Sequence, residues 1–305
     1  MKFGITIPLH RDVEVKTNLK LALRCEELGF DSIWISDHVI LPKKYKSRFS
    51  KILYDPFVLL SSIAAQTKRI KLGTSVLILP YRNPIVVAKM ISTLDVLSDG
   101  KIIFGVGPGW MKEEFETLRI PYSDRGRRTD EYIRIFKELW GKDEPKLDGE
   151  FYSFSKIKFY PKPFQKPHPP IWIGGNSDKA LKRAVELGDG WHPVWFSPDE
   201  MLEKINLLKT HAVDAGRSLD NFTFSIRNRL RILNKGKKTR DDSTKWRGDH
   251  TFHFYGTTKE IIKYIEQFNE IGVSHIVFDI DVRDDREMFD TLDKFSKHIM
   301  PLFKS

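Results

Sequence analysis

Short apolar runs alternate with helix-period segments from one end of this chain to the other, and that alternation restricts it to a parallel sheet with right-handed crossovers. Strands are expected at Phe3–Ile7, Ser32–Ser36, Ile70–Leu77, Ile102–Val106, Ile171–Ile173, Trp191–Val194, Phe222–Leu233 and Ser274–Ile280. The helices between them read as Leu19–Leu28, closed by Gly29, then Pro56–Thr67, Pro84–Leu97, Arg128–Trp140, Asp178–Leu187, Pro198–Ala215, a segment reaching Ile271, and Arg286–Phe303. Asn83 is placed to cap the third helix, with Pro84 at the first helical position where a missing N–H costs nothing. Thr257-Thr-Lys-Glu260 offers a capping box for the seventh. Eight strand–helix units imply an α/β fold of the (β/α)8 TIM-barrel type, with its chemistry at the carboxyl ends of the strands.

One stretch departs from the rhythm. From Gly141 to Pro170 the pattern becomes short alternating segments, Phe151–Phe154 and Ile157–Tyr160, followed by a proline-rich return. This reads as a hairpin-like insertion at about 141–170 within one domain spanning 1–305. A chain of 305 residues that is 40% hydrophobic and 12% aromatic can bury one large core. It carries no run of about 20 apolar residues, and Met1-Lys2-Phe3 enters a strand without a charged leader, so a soluble cytoplasmic protein without membrane contact is expected. The one cysteine, Cys25, excludes an intrachain disulfide and falls at a helical position suited to a small buried side chain.

The formal charge of +10 invites a nucleic-acid reading, but the basic residues are interleaved with carboxylates and no nucleic-acid module accompanies them. The local cluster Asn234–Arg240 reads as a loop. A basic surface suits an anionic small molecule better. No metal site is expected, because the nine histidines show no H-E-x-x-H spacing. No G-x-S-x-G elbow is present either. Trp172, Trp191 and Trp195 read as core and pocket wall.

The chemistry-bearing residues cluster at expected strand ends. Asp37 and His38 follow the second strand, where a histidine of near-neutral pKa can move a proton; alternatively Asp37 caps a turn and His38 fills a polar rim position. Gly105-Val-Gly-Pro-Gly109 resembles a phosphate loop, yet Pro108 has no N–H to donate, so its glycines read as room for close backbone approach to a planar ring. Glu113 and Glu114 read as helix-end or Arg-pairing residues, and Arg125-Gly-Arg-Arg128 as carboxylate-pairing residues. Gly174-Gly-Asn-Ser177 opens a helix, a geometry that aims N–H groups at an anion; a glycine turn with Ser177 as N-cap has the same form. Asp189-Gly-Trp191 borders it.

In order along the chain stand Ser36-Asp-His38, Gly73-Thr-Ser-Val-Leu77, Gly105-Val-Gly-Pro-Gly-Trp110 and Glu113-Glu-Phe115. This ordered set resembles the bacterial luciferase-like flavin and deazaflavin oxidoreductases, and within them the subgroup using coenzyme F420. The resemblance implies a non-proline cis peptide at Ser75–Val76, catalytic roles for His38 and Asp37, and a cofactor site at Asp37, His38, Ser75, Val76, Gly107, Gly109, Trp110, Gly174, Gly175, Asn176, Ser177 and Gly190. Some sugar-oxidising relatives carry an acidic proton donor where this chain has Trp110, so their substrate and acid do not transfer. The implied activity is F420-dependent hydride transfer to or from a small organic substrate. The alternatives are an FMN-dependent monooxygenase using reduced flavin and oxygen, and a non-catalytic flavin-binding protein. The resemblance also implies a homodimer, for which the face Ile85, Ala88, Met90, Ile91 and Leu94 is available. The loops Leu41–Tyr54 and Asn234–Thr251, expected to shape the substrate pocket, carry no motif.

Overall fold

The computed structural model describes residues 1–46, 49–233, 252–282 and 284–303, so the expected loop at Asn234–Thr251 lies outside the described residues. In chain order the strands are β1 (Lys2–Thr6), β2 (Ser32–Ile35), β3 (Lys71–Thr74), β4 (Leu77–Ile78), β5 (Ile102–Gly107), β6 (Leu147–Asp148), β7 (Ser153–Phe154), β8 (Ile171–Gly174), β9 (Gly190–His192), β10 (Thr223–Ile232), β11 (Phe254–Gly256) and β12 (His275–Ile280). The helices are α1 (Val15–Glu27), α2 (Pro56–Ala64), α3 (Pro84–Leu97), α4 (Lys112–Thr117), α5 (Arg125–Gly141), α6 (Asp178–Leu187), α7 (Pro198–Asp214), α8 (Thr258–Glu270) and α9 (Asp285–His298). Strands β1, β2, β3, β5, β8, β9, β10 and β12 pair in parallel in that order, and β12 returns to β1 to close an eight-stranded barrel.

Local chemistry sets the element ends much as the sequence predicts. Asn83 accepts hydrogen bonds from the Ile85 and Val86 amides at the start of α3, and Thr257 with Glu260 forms both halves of a capping box on α8. Gly29 closes α1 with φ +82°, a conformation glycine adopts without a Cβ penalty. One expectation is corrected: the single strand Ile70–Leu77 is broken at Ser75–Val76, after which β4 pairs with β5. The peptide bond there is cis, as the resemblance implies. In the insertion Leu147–Asp148 pairs with Ser153–Phe154, antiparallel, and the Glu131 carboxylate accepts from the Phe151 and Tyr152 amides at the turn.

The barrel interior is filled by aromatic side chains that need bare backbone opposite them. Trp34 stacks on Trp172 with ring centroids 5.3 Å apart and on His192 at 5.0 Å. A Cβ at Gly4 would lie 2.5 Å from Trp34 Nε1, and one at Gly73 only 2.2 Å from Trp34 Cε3. Gly190 meets the same demand from Trp172, where a Cβ would lie 2.8 Å from Cδ1. Gly73→Ala should therefore cost about 1–3 kcal/mol of unfolding free energy by overpacking. Urea denaturation should show that Trp34→Phe recovers part of this loss in the double variant; simple additivity would contradict the packing account.

Candidate active site

At the carboxyl end of the barrel one guanidinium joins four strands. Arg227, on β10, faces the interior and meets Asp279 of β12 through Nε at 3.0 Å and Nη2 at 2.8 Å. Its Nη1 donates to the Ser75 carbonyl at 2.6 Å and to Ser36 Oγ at 2.9 Å. Burial works against the Asp279 charge, but Arg227 and the Thr6 hydroxyl outweigh it and hold the carboxyl at about 2. Ser75 Oγ carries the network on to His192 Nε2, 2.9 Å away. The His192 tautomer follows from the far side of its ring. Ser225 gives its one proton to the Trp191 carbonyl, so its oxygen accepts from His192 Nδ1–H at 2.7 Å, and Nε2 is left to accept from Ser75. His192 is thus neutral, with its pKa pushed down to about 3 by burial and by the Arg227 charge.

His38 sits apart from that network with its own partner. Its Nδ1 lies 2.9 Å from Glu114 Oε2, and both side chains are buried. Glu114 also accepts from the Tyr81 hydroxyl and from the Val39 and Ile40 amides. Burial opposes its ionisation, yet the hydrogen bonds from His38, Val39 and Tyr81 hold its carboxyl below the usual range. An ionised carboxylate only accepts, so Nδ1 of His38 carries a proton and Nε2 is the nitrogen turned away from Glu114. His38 lines a small cavity of about 20 Å3 with Ile7, Ser36 and Tyr54, and its ring packs against Phe49 and edge-on to Trp110.

Glu113 and Glu114 stand in the first turn of α4, the helix-end place expected of them, but Glu114 pairs with no arginine: it is the fully buried partner of His38. Glu113, one residue away, is exposed to Lys44 instead. Asp37 also has a structural task. Both its oxygens accept from Arg82, at 2.6 and 2.9 Å, and one accepts from the Ile78 amide, so this carboxylate fastens β4 to the rim, while burial pushes its pKa up against the pull of Arg82.

Ser75, Val76, Gly107 and Gly174 gather at the same rim, as expected, but the glycines serve protein atoms. A Cβ at Gly107 or Gly174 would lie 2.8 or 2.7 Å from the Val76 side chain, and one at Gly109 2.6 Å from Ile78. Gly190 does not belong to this rim. It opens β9 beside Trp172, because the strand enters the barrel over that ring. Asn176 closes its loop on Val194, donating to the carbonyl at 2.8 Å and accepting from the amide at 3.1 Å. Ser177 caps α6, and exposed Gly175 adopts φ +121° just before it. Arg127 and Arg128 pair locally, with Asp124 and Glu150 and over the Phe151 ring respectively.

The family model for luciferase-like monooxygenases matches residues 1–272. This chain belongs to the luciferase-like monooxygenase family. Its relatives include an F420-dependent glucose-6-phosphate dehydrogenase of Amycolatopsis mediterranei, 34% identical over 179 residues, 57% of this chain and 51% of that one. An FMNH2-dependent dimethylsulfone monooxygenase of Pseudomonas putida is 23% identical over 333 residues, covering 95% of this chain and 88% of that one. The fold superposes on an F420-dependent secondary alcohol dehydrogenase bound to an F420-acetone adduct with a TM-score of 0.82 at 21% identity, over 100% of this chain and 99% of that one. This luciferase-like protein is thus an oxidoreductase of a family whose members use either F420 or flavin. No helix among its described residues is long and apolar enough to cross a membrane, and no cluster of potential metal ligands occurs among them.

The buried histidines of this luciferase-like barrel make it acid-sensitive in a defined way. His192 and His275 are both pushed down to about 3 by burial, while unfolded imidazoles protonate near pH 6.5, so the unfolded chain binds more protons between these values. Their contribution is whole above about pH 6.5 and is lost as pH falls toward 3. Two such protons give a slope approaching about 2.7 kcal/mol per pH unit. Urea unfolding followed from pH 6.5 to 4 should show His275→Gln lowering the slope by about one proton's worth, ~1.4 kcal/mol per unit.

Proposed function

We propose that this protein is an F420-dependent oxidoreductase in which His38, oriented by Glu114, handles the proton that accompanies hydride transfer to or from a small organic substrate. The observation that carries this reading is the buried His38–Glu114 pair at the barrel mouth. Glu114 fixes the tautomer and leaves Nε2 as the nitrogen for exchange with a reacting group. The deazaflavin supplies the hydride-carrying ring when bound. Residues of this chain fit such a group on two counts. Val76, Gly107 and Gly174 form a closely packed face beside Ser75, whose carbonyl is held by Arg227. The loop Gly174–Ser177 ends at the exposed amino terminus of α6, where Gly175 leaves the backbone bare and Lys179 stands exposed in the first turn. Asp178 shares that turn but is engaged by Lys182 and His211.

The preference for F420 over FMN rests on the basic balance of the chain, +10 overall, since F420 carries a glutamate tail beyond its phosphate and FMN does not. Tryptophan quenching should report F420 binding in the low-micromolar range, about −8 kcal/mol, and tighter than FMN at moderate salt. Tighter FMN binding with oxygen-dependent turnover on reduced flavin would favour the monooxygenase reading, which the dimethylsulfone enzyme supports. His38→Ala should reduce turnover by about 10²–10⁴ while leaving cofactor affinity within several-fold. Glu114→Gln should act through His38, so the double variant should be no slower than His38→Ala alone. Multiplicative losses would separate the two residues.

A homodimer forms part of this proposal. Ala88, Ile91 and Leu94 of the face expected from the sequence are buried in the protomer's own core. The outward residues are Val58, Val86, Met90 and Leu97 on α2 and α3, 72%, 52%, 42% and 70% exposed. Light scattering at micromolar concentration should report a dimer, and Val86→Glu with Met90→Glu should yield a monomer that still binds cofactor.

A further inference from the structure

On β10 the residues Ser225, Arg227, Arg229 and Arg231 share one face, because side chains two apart in a strand point the same way. Each arginine meets a different fate. Arg227 is neutralised by Asp279, and Arg231 reaches Asp281 at 3.6 Å. Arg229, between them, has no carboxylate at ion-pair distance among the described residues. It leans on His10, with Nη2 3.5 Å from Nε2, and on Tyr255, while its Nε is buried without a hydrogen-bond partner. The carboxylates nearby are already committed. Asp279 takes Arg227 and Thr6, and Asp281 takes Arg231 and the Tyr255 hydroxyl.

A cavity of about 80 Å3 opens beside this cation, walled by Thr6, His10, Arg11, Arg229 and the two committed carboxylates Asp279 and Asp281 among others. Two of its walls carry N–H donors without an acceptor among the described residues, Arg11 Nε and Arg229 Nε. His253, which is not a wall residue, is near enough to feel the Arg229 charge. A half-buried guanidinium without a counterion is costly, and a cavity of this size holds several water-sized atoms, enough for a carboxylate or phosphate group. Pro8 and Leu9 wall both this cavity and the one lined by His38, so the two adjoin at the segment that follows β1.

We infer that the Arg229 cavity is an anion subsite for the substrate, so that the small molecule this enzyme processes carries an oxyanion, a carboxylate or a comparable group, that Arg229 holds at the mouth shared with His38. Its assignment to a substrate rests on the oxidoreductase reading above; the anion site itself does not. The guanidinium forks onto the oxyanion, as the geometry of carboxylate recognition favours, and Arg11, whose charge is met by Asp285, offers its Nε–H to the same cavity.

His253 provides the readout. Its pKa is pushed down to about 4, first by burial and then by the Arg229 charge, against the pull of Asp279 and Asp281. An anion seated on Arg229 offsets that charge, so the His253 titration midpoint must rise when the site fills. The test is NMR of protein carrying labelled histidine, titrated with sodium acetate and, as a neutral control of the same shape, acetamide. Acetate should move the His253 resonance saturably and raise its midpoint, and acetamide should not. Arg229→Met should weaken acetate binding at least tenfold while Arg229→Lys retains most of it. An equal response to acetamide, or acetate binding unchanged in Arg229→Met, would overturn the site. Displacement of acetate by F420 but not by the same deazaflavin truncated before its phosphate would give the site to the cofactor tail and overturn the substrate assignment. Failure of both F420 and FMN to bind would sink the oxidoreductase reading without touching the acetate result.

Discussion

The mouth of this barrel depends on the buried ion pair between Arg227 and Asp279. From β10 the guanidinium reaches β12 through Asp279, the end of β2 through Ser36 and the end of β3 through Ser75, and Ser75 passes the contact to His192 on β9. A charge pair this deep is no bargain in stability against apolar packing, but removing one member strands the other and costs about 3–5 kcal/mol. What it supplies is position. The chain around Ser75–Val76, where β3 is interrupted, is held from inside the barrel by a donor that cannot lose its proton.

Two kinds of polar group therefore share one rim. The interior network of Arg227, Asp279, Ser75 and His192 satisfies itself, and its histidine is locked neutral by burial. The His38–Glu114 pair is also buried, but His38 lines a cavity. The two histidines differ in their partners: His192 is bonded at both nitrogens, whereas His38 among the described residues is bonded to a carboxylate at Nδ1. Arg229 extends the same logic to charge, since it is the arginine of its strand face that the described carboxylates leave uncompensated.

Much of the fold was legible because it rests on local rules. Asn83 before Pro84, Thr257 three residues before Glu260, and Gly29 after an amphipathic run each mark a helix end through hydrogen bonds made within a few residues. The ordered motifs located the rim, and with it Ser75, Val76 and His38. Long-range pairings were not legible. Glu114 sits beside Glu113 in the sequence, and nothing local distinguishes the one that turns inward to His38, 76 residues earlier, from the one that stays outside. Arg227 and Asp279 did leave a signal. Each is a charge within an otherwise strand-like run, and a charge at such a place requires a buried partner. Nor could the sequence show that Glu131, on α5, holds the amides at the turn of the insertion.

The central claim is that the cofactor ring binds against the face built by Ser75, Val76, Gly107 and Gly174, beside His38. A crystal structure of the protein soaked with F420 tests this most directly. The account predicts the deazaflavin ring against Val76 and the held Ser75 carbonyl, with its phosphate at the Gly175–Ser177 loop. A ring bound elsewhere, or one separated from His38 by protein, would contradict it.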